Sequence, residues 1–261
     1  MIKFIASDLD GTILRNGAQS VDPSLIEVID RLTSMGYIFA PASGRQITSL
    51  KRLFEPISDK LMYIAENGAL VEYKGQVIAK TPMEKQLALD LINDFTKLPH
   101  CEALVSGQHT AYIKPKSEAF EYRMTKVVNY HTTKVERFED IKEDIIKVSV
   151  CDMSGIVNSK DYLMNTWGVN EKLEAALSGE LFLDFVDSKV SKGNAIEKIQ
   201  EHFNITADEC MAFGDNYNDI AMLDAVTESY VMEKAVEDVK SHGKYITGWV
   251  EETLRKRFEI N

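Results

Sequence analysis

An apolar run ends in acid at the start of the chain: residues 2–7 lead straight into Asp8-Leu9-Asp10-Gly11-Thr12. A run this short, broken only by one Lys and stopped by acids and a Gly, reads as a buried strand running into a loop. The same grammar repeats. Asp22-Pro23 starts a helix, with Asp as the N-cap and Pro in the first turn. Leu25, Ile26, Ile29 and Leu32 give that helix one apolar face, and Gly36 stands where such helices close. Residues 37–42 form a second apolar run, ending at Ser43-Gly44-Arg45 before another helix, and residues 61–65 continue the pattern. Strand, helix, strand, helix is the order of a parallel sheet with crossover helices.

The pattern then changes. Residues 69–73 and Gln76–Lys80 flank Lys74-Gly75 as a hairpin, and Thr81-Pro82 marks a break. Across the next hundred or so residues, helices at about 84–97, 117–129 and 159–177 alternate with strands near 102–106, 110–114 and 145–151. The first style returns with a helix from Lys192, opened by Ser191 and Gly193. A strand at 210–213 runs into Gly214-Asp215, a helix follows from about Asp219, and a strand at 230–232 precedes helices around 235–241 and 249–258. The expected architecture is α/β: a Rossmann-like parallel-sheet core built from residues 1–81 and 185–261, with an α+β domain of residues 82–184 inserted in it.

Charge narrows the partners. With 30 Lys+Arg against 41 Asp+Glu the chain carries −11, which argues against a general nucleic-acid or anionic-membrane binder. Cys101, Cys151 and Cys210 are odd in number and far apart, so neither a disulfide framework nor a zinc ribbon is expected. A reducing cytoplasm is the expected compartment. Acids interrupt the N-terminal run, so no signal peptide is expected, and no apolar stretch approaches membrane-spanning length.

The chemistry-bearing residues fall at the ends of the apolar runs. Asp8 and Asp10, two apart on an extended segment, place both carboxylates on one side. Carboxylates so close favour a divalent cation or a raised pKa, although a solvated acidic turn has the same residues. Gly214-Asp215-Asn216-Tyr217-Asn218-Asp219 adds oxygen ligands after a second strand. Alone, Asn216 and Asp219 are better read as an Asn/Asp turn capping the next helix; with the first motif a divided magnesium site is the better account. Neither segment has EF-hand spacing. Ser43-Gly44-Arg45 offers a hydroxyl, a permissive glycine and helix N–H groups to an anion, and Arg45 in a first turn opposes the helix dipole unless an anion lies nearby. Lys192 is misplaced in the same way at the start of its helix, which suits a neutraliser of an anionic transition state. Asn67-Gly68 reads as a tight turn that is also placed to line such a site.

In this order the four segments Asp8–Thr12, Ser43-Gly44-Arg45, Lys192-Gly193 and Gly214–Asp219 resemble the four motifs of the haloacid dehalogenase superfamily of phosphatases, and the long insert after Asn67-Gly68-Ala69 is similar to the large cap of its Cof-type branch. Ser43 stands where Thr is common, which keeps the hydroxyl. Met232-Glu233-Lys234-Ala235 stands where an Asn-Ala pair is common. The resemblance implies Asp8 as the nucleophile and Asp10 as the acid and base. It implies Mg²⁺ held by Asp8, the Asp10 main-chain carbonyl and Asp215, with Asp219 in support, and phosphate held by Ser43, Gly44, Lys192 and Asn218. It also implies a cap that covers the site and chooses among substrates. The function expected is Mg²⁺-dependent hydrolysis of small phosphorylated metabolites, such as sugar phosphates, through an aspartyl-phosphate, by a monomer or weak homo-oligomer. The alternatives are a phosphomutase or phosphotransferase of the same superfamily, or a non-catalytic phosphoryl or metal sensor.

Overall fold

The computed structural model describes residues 1–260. In chain order the first segment contains β1 (Phe4–Asp8), α1 (Pro23–Ser34), β2 (Ile38–Ala42), α2 (Ile47–Leu53), β3 (Met62–Ala65), β4 (Leu70–Tyr73) and β5 (Gln76–Lys80). The middle holds α3 (Lys85–Phe95), β6 (Cys101–Ser106), β7 (Ala111–Ile113), α4 (Glu118–Tyr122), β8 (Thr132–Lys134), β9 (Lys147–Asp152), α5 (Lys160–Thr166), β10 (Leu173–Leu177) and β11 (Phe182–Asp187). The last part contains α6 (Lys192–Phe203), β12 (Cys210–Gly214), α7 (Ile220–Asp224), β13 (Glu228–Met232), α8 (Glu237–Lys240), β14 (Tyr245–Thr247) and α9 (Val250–Phe258). Two compact units result: Met1–Lys80 together with the chain from Ser191 onward, and Thr81–Val190.

The first unit is an eight-stranded sheet in the order β14-β13-β12-β1-β2-β3-β4-β5, parallel from β14 to β3 and antiparallel through β4 and β5. β1 lies at its centre with all five residues buried, flanked by β12 and β2. Phe4, Ala6, Ala40, Ala42 and Ile64 pack with Ala195, Ile196 and Ile199 of α6. α1 packs on β2 and against α9, burying Leu25, Val28, Ile29 and Leu32. Each such side chain contributes roughly 1.5–3 kcal/mol of burial. Asp22 caps α1 by accepting from the Ser24 N–H at 2.9 Å. The β4–β5 hairpin turns on Lys74 and Gly75, both at positive φ, which a two-residue turn of this kind requires.

The second unit is α+β, with a sheet in the order β10-β11-β9-β6-β7-β8, antiparallel except for the β7–β8 pair. α3 and α5 contribute Leu89, Leu91, Ile92, Phe95 and Leu163 to a core shared with Val105, Val148, Val150 and Phe185.

Three sequence expectations differ locally from the structure. The helix expected over 159–177 stops at Thr166, and its second half is the edge strand β10 paired with β11. Glu171-Lys172-Leu173-Glu174-Ala175-Ala176 is rich in helix formers, but Leu173 and Ala175 face the core at period two while Glu174 turns outward. Tertiary pairing overrides propensity there. The helix expected directly after Ser43-Gly44-Arg45 begins later, at Ile47, and its capping residue Gln46 makes no side-chain cap bond. The expected helix at 117–129 is α4 followed by a π-helical turn, Arg123–Val127. Among the described residues, no helix is long and apolar enough to cross a membrane.

Candidate active site

The carboxyl ends of β1, β2, β3 and β12, together with the start of α6, supply the residues singled out above. Asp8 is the last residue of β1 and is buried, because the strand that carries it is central. Lys192 opens α6, whose N-cap is the Ser191 side chain accepting from the Asn194 N–H at 3.0 Å. The Lys192 side chain is completely buried, and its Nζ donates to Asp8 Oδ1 at 2.6 Å and to Asp219 Oδ1 at 2.6 Å. A cation at a helix N-terminus opposes the dipole, and the two carboxylates offset that cost.

Asp219 uses both oxygens within the protein. Its Oδ2 accepts from the Asp215 N–H at 3.0 Å and the Asn216 N–H at 3.1 Å, folding the loop after β12 around it. Asp215 is held by Thr12, whose hydroxyl donates to Asp215 Oδ1 at 2.9 Å, so the first and fourth motifs are stitched together. Gly11 is required between them: it has a φ of +101°, and a Cβ there would run into the Asp215 carboxylate.

Asp8, Asp215 and Asp219 each offer a carboxylate oxygen within 4.8 Å of the others. Three carboxylates face one ammonium, and Asp8 Oδ2 is buried and accepts no hydrogen bond. Burial pushes the Asp8 carboxyl up to about 8, against the pull of Lys192. Burial also raises Asp215. Burial works against the Lys192 ammonium, but Asp8 and Asp219 outweigh it and carry its pKa up to about 12. An excess of hard oxygen donors around an unsatisfied buried oxygen fits a divalent cation.

Asp10 lies apart from this cluster. Its exposed carboxylate is gripped by Arg45, with Nε donating to Oδ2 at 3.1 Å and Nη2 to Oδ1 at 2.5 Å. The misplaced cation of the second motif therefore has its anion within the protein. Ser43 is buried directly after β2, its Oγ accepting from the Arg45 N–H at 3.2 Å, and Gly44 follows half-buried. Asn218 is exposed and donates through Nδ2 to Asn67 Oδ1 at 3.3 Å. The roles of Thr12 and of the Arg45–Asp10 pair are the features that residue spacing did not give; the expectation of an anion near Arg45 pointed to the second, although Arg45 precedes the capping residue Gln46 and does not lie in the first turn.

A model of the haloacid dehalogenase-like hydrolases matches residues 5–253. The 5-amino-6-(5-phospho-D-ribitylamino)uracil phosphatase YbjI of Escherichia coli (strain K12) is 24% identical over 247 residues, spanning 95% of this chain and 91% of that protein. A crystal structure from Eubacterium rectale superposes with a TM-score of 0.86 at 28% identity, over 98% of this chain and 99% of that one. The subclass IIB sugar phosphatase BT4131 shares the fold at a TM-score of 0.75 and 22% identity, over 99% and 100% of the two chains. Because the family match runs from the first strand to the last helix and is not confined to one motif, the chain belongs to the haloacid dehalogenase-like hydrolase family, as one of its phosphatases.

Proposed function

We propose that this phosphatase hydrolyses small phosphorylated metabolites, those with the phosphate on a sugar or ribityl group foremost, through a phosphoryl group carried transiently on Asp8. The observation that carries the reading is the asymmetry of Asp8: Oδ1 is fixed by Lys192, while Oδ2 is buried and accepts no hydrogen bond. A carboxylate anchored through one oxygen is held in a fixed orientation, as a nucleophile must be. The substrate class draws support from relatives whose names specify a phosphoribityl compound and a sugar.

Mg²⁺, held by Asp8, the Asp10 main-chain carbonyl and Asp215, with Asp219 in support, would neutralise phosphoryl charge when bound. The chain's own groups do the rest. Asp8 attacks phosphorus, the ester P–O bond breaks, and Asp10 gives its proton to the departing alkoxide. Asp10 then takes a proton from water, the hydroxide oxygen bonds to phosphorus, and the bond to Asp8 breaks, releasing phosphate and the original carboxylate. Ser43, the Gly44 N–H, Lys192 and Asn218 hold the phosphoryl oxygens. Because every one of these residues belongs to the first unit, the second unit, Thr81–Val190, is left with the choice of leaving group.

Phosphate release from a panel of phosphorylated sugars, ribityl compounds, nucleotides and cofactors, with Mg²⁺ and with EDTA, tests the proposal. Turnover is expected with Mg²⁺ alone, highest on sugar or ribityl phosphates, and beryllium fluoride is expected to attach to Asp8. Undiminished turnover in EDTA, or in a folded Asp8→Asn variant, overturns it.

A further inference from the structure

Three residues in a row, Glu66, Asn67 and Gly68, have φ values of +51°, +56° and +101°. Side chains with a Cβ rarely adopt this backbone, and two such residues side by side persist only where the surroundings hold them. The turn follows β3, at the same sheet edge as Asp8 and Ser43. It is pinned to the second motif by two hydrogen bonds, from the Glu66 N–H to the Arg45 carbonyl at 3.2 Å and from the Asn67 N–H to the Ser43 carbonyl at 2.9 Å. Gly68 presses on the third motif: a Cβ there would run into the Ser191 carbonyl oxygen and stand 3.1 Å from the Lys192 nitrogen.

A tight turn accounts for Gly68 but not for the side chain of Asn67. An Asn in the left-handed region ordinarily offsets the cost by bonding its own neighbourhood. Here the carboxamide reaches elsewhere. Its Oδ1 accepts from Asn218 Nδ2, 151 positions along the chain, in the fourth motif. Its Nδ2 edge lies against Gly44, 3.0 Å from where a Cβ would stand. The absence of a side chain at Gly44 is what makes room for it.

We infer that Asn67 is a further phosphate-binding residue: Nδ2 donates to an oxygen of the transferred phosphoryl group beside the Gly44 N–H, and Oδ1 fixes the carboxamide of Asn218 for the same purpose. The inference rests on the phosphatase reading above and adds a fifth segment to the four that the family resemblance supplies. A neutral donor suits this position, because it grips the oxygens without adding to the charge that Lys192 already brings.

The test is calorimetric titration of inorganic phosphate into the Mg²⁺-loaded full chain, for wild type, Asn67→Gly, Asn67→Asp, Asn218→Ala and the Asn67→Gly/Asn218→Ala double variant, with a thermal melt of each. Asn67→Gly deletes the carboxamide while accepting the left-handed backbone freely, so it is expected to melt at or above the wild type. Phosphate affinity is expected to fall about tenfold, the effect of one hydrogen bond to a charged oxygen. KM for p-nitrophenyl phosphate should rise with it, by more than kcat falls. Adding Asn218→Ala should cost less than it does alone, because the two side chains act together. Wild-type phosphate affinity in Asn67→Gly overturns the inference. Should Asn67→Gly fail to fold, the isosteric Asn67→Asp decides: a carboxylate facing phosphate is expected to abolish binding, and unchanged affinity overturns the inference. A wild-type protein that neither binds phosphate nor releases it from any ester overturns the underlying phosphatase reading instead.

Discussion

Lys192 in the first unit and Lys147 in the second are both buried, and the company they keep differs. Lys192 stands between Asp8 and Asp219 at 2.6 Å from each, with Asp215 closing a cluster of three carboxylates. Lys147 on β9 meets Asp184 on the neighbouring strand β11 at 3.1 Å, and no cluster of three metal-ligating side chains occurs in that unit among the described residues. Burying an ion pair costs desolvation that mutual attraction offsets only in good geometry, so a buried lysine bonded from one strand of a sheet to its neighbour speaks for register and fold. A surplus of carboxylate that no protein cation matches speaks for something brought in from outside. Charge imbalance, more than burial of charge, separates a site from a scaffold in this molecule.

That contrast breaks most visibly at Asp8. Asp8→Asn is expected to lower turnover by at least about 10⁴-fold, as for other lost nucleophiles, with a cooperative melt retained. Phosphate release and calorimetry together check it; a folded variant that still turns over would make the surplus irrelevant to catalysis.

Next comes the cation. Mg²⁺ at roughly 100 times its Kd should stabilise the wild type by about 2.7 kcal/mol, read as a raised Tm that EDTA reverses. Asp215→Ala should shrink that shift, whereas Lys147→Met should leave it whole. An equal shift in Asp215→Ala would remove that residue from the metal site.

The two lysines can be compared directly in urea with EDTA present. Lys192→Met strands two buried carboxylates and is expected to cost about 3–5 kcal/mol. Lys147→Met leaves the partly accessible Asp184 and is expected to cost less, about 1–3 kcal/mol. Equal costs would contradict the distinction drawn between them.

The smallest effect lies in the second unit alone. Trp167 Nε1 and Tyr162 Oη donate to Asp94 Oδ2 at 2.9 and 2.7 Å and hold its carboxyl below the usual range. A depressed carboxyl stabilises the fold above its unfolded pKa, and that stability is lost as pH falls through its folded value. Asp94→Asn should therefore be less stable than wild type by about 1 kcal/mol near neutral pH, with the difference closing below about pH 4. A pH-independent difference in urea midpoints would assign the effect to packing.

What the sequence disclosed followed from local rules. Asp22-Pro23, Ser191 and Lys74-Gly75 carry their capping and turn chemistry in their own residue types, and α1, α6 and the hairpin form where those signals stand. β10 was illegible because its helix-forming composition loses to a partner, β11, further along the chain. Within the site, the meeting of Asp8, Lys192, Asp215 and Asp219 was foreshadowed by strand ends, since each lies at or just beyond an element boundary. The engagement of Asp10 by Arg45 and of Asn67 by Asn218 was not, because both depend on where separate loops come to rest in space.

The position of β1, paired with β2 on one side and with β12 on the other, also sets a timetable. On the ribosome, Asp8 is released well before Lys192, 184 positions later, and before Asp215 and Asp219 beyond it. Until β12 and α6 emerge, Asp8 lacks both the neighbouring strand and the Lys192 ammonium that surround it in the finished sheet. Closing the intervening stretch of about 110 residues as a loose coil would cost roughly 4 kcal/mol of chain entropy. An insert that has already folded into its own compact unit shortens that loop before α6 docks along β5. The inserted unit is thus a step in assembling the very sheet it interrupts.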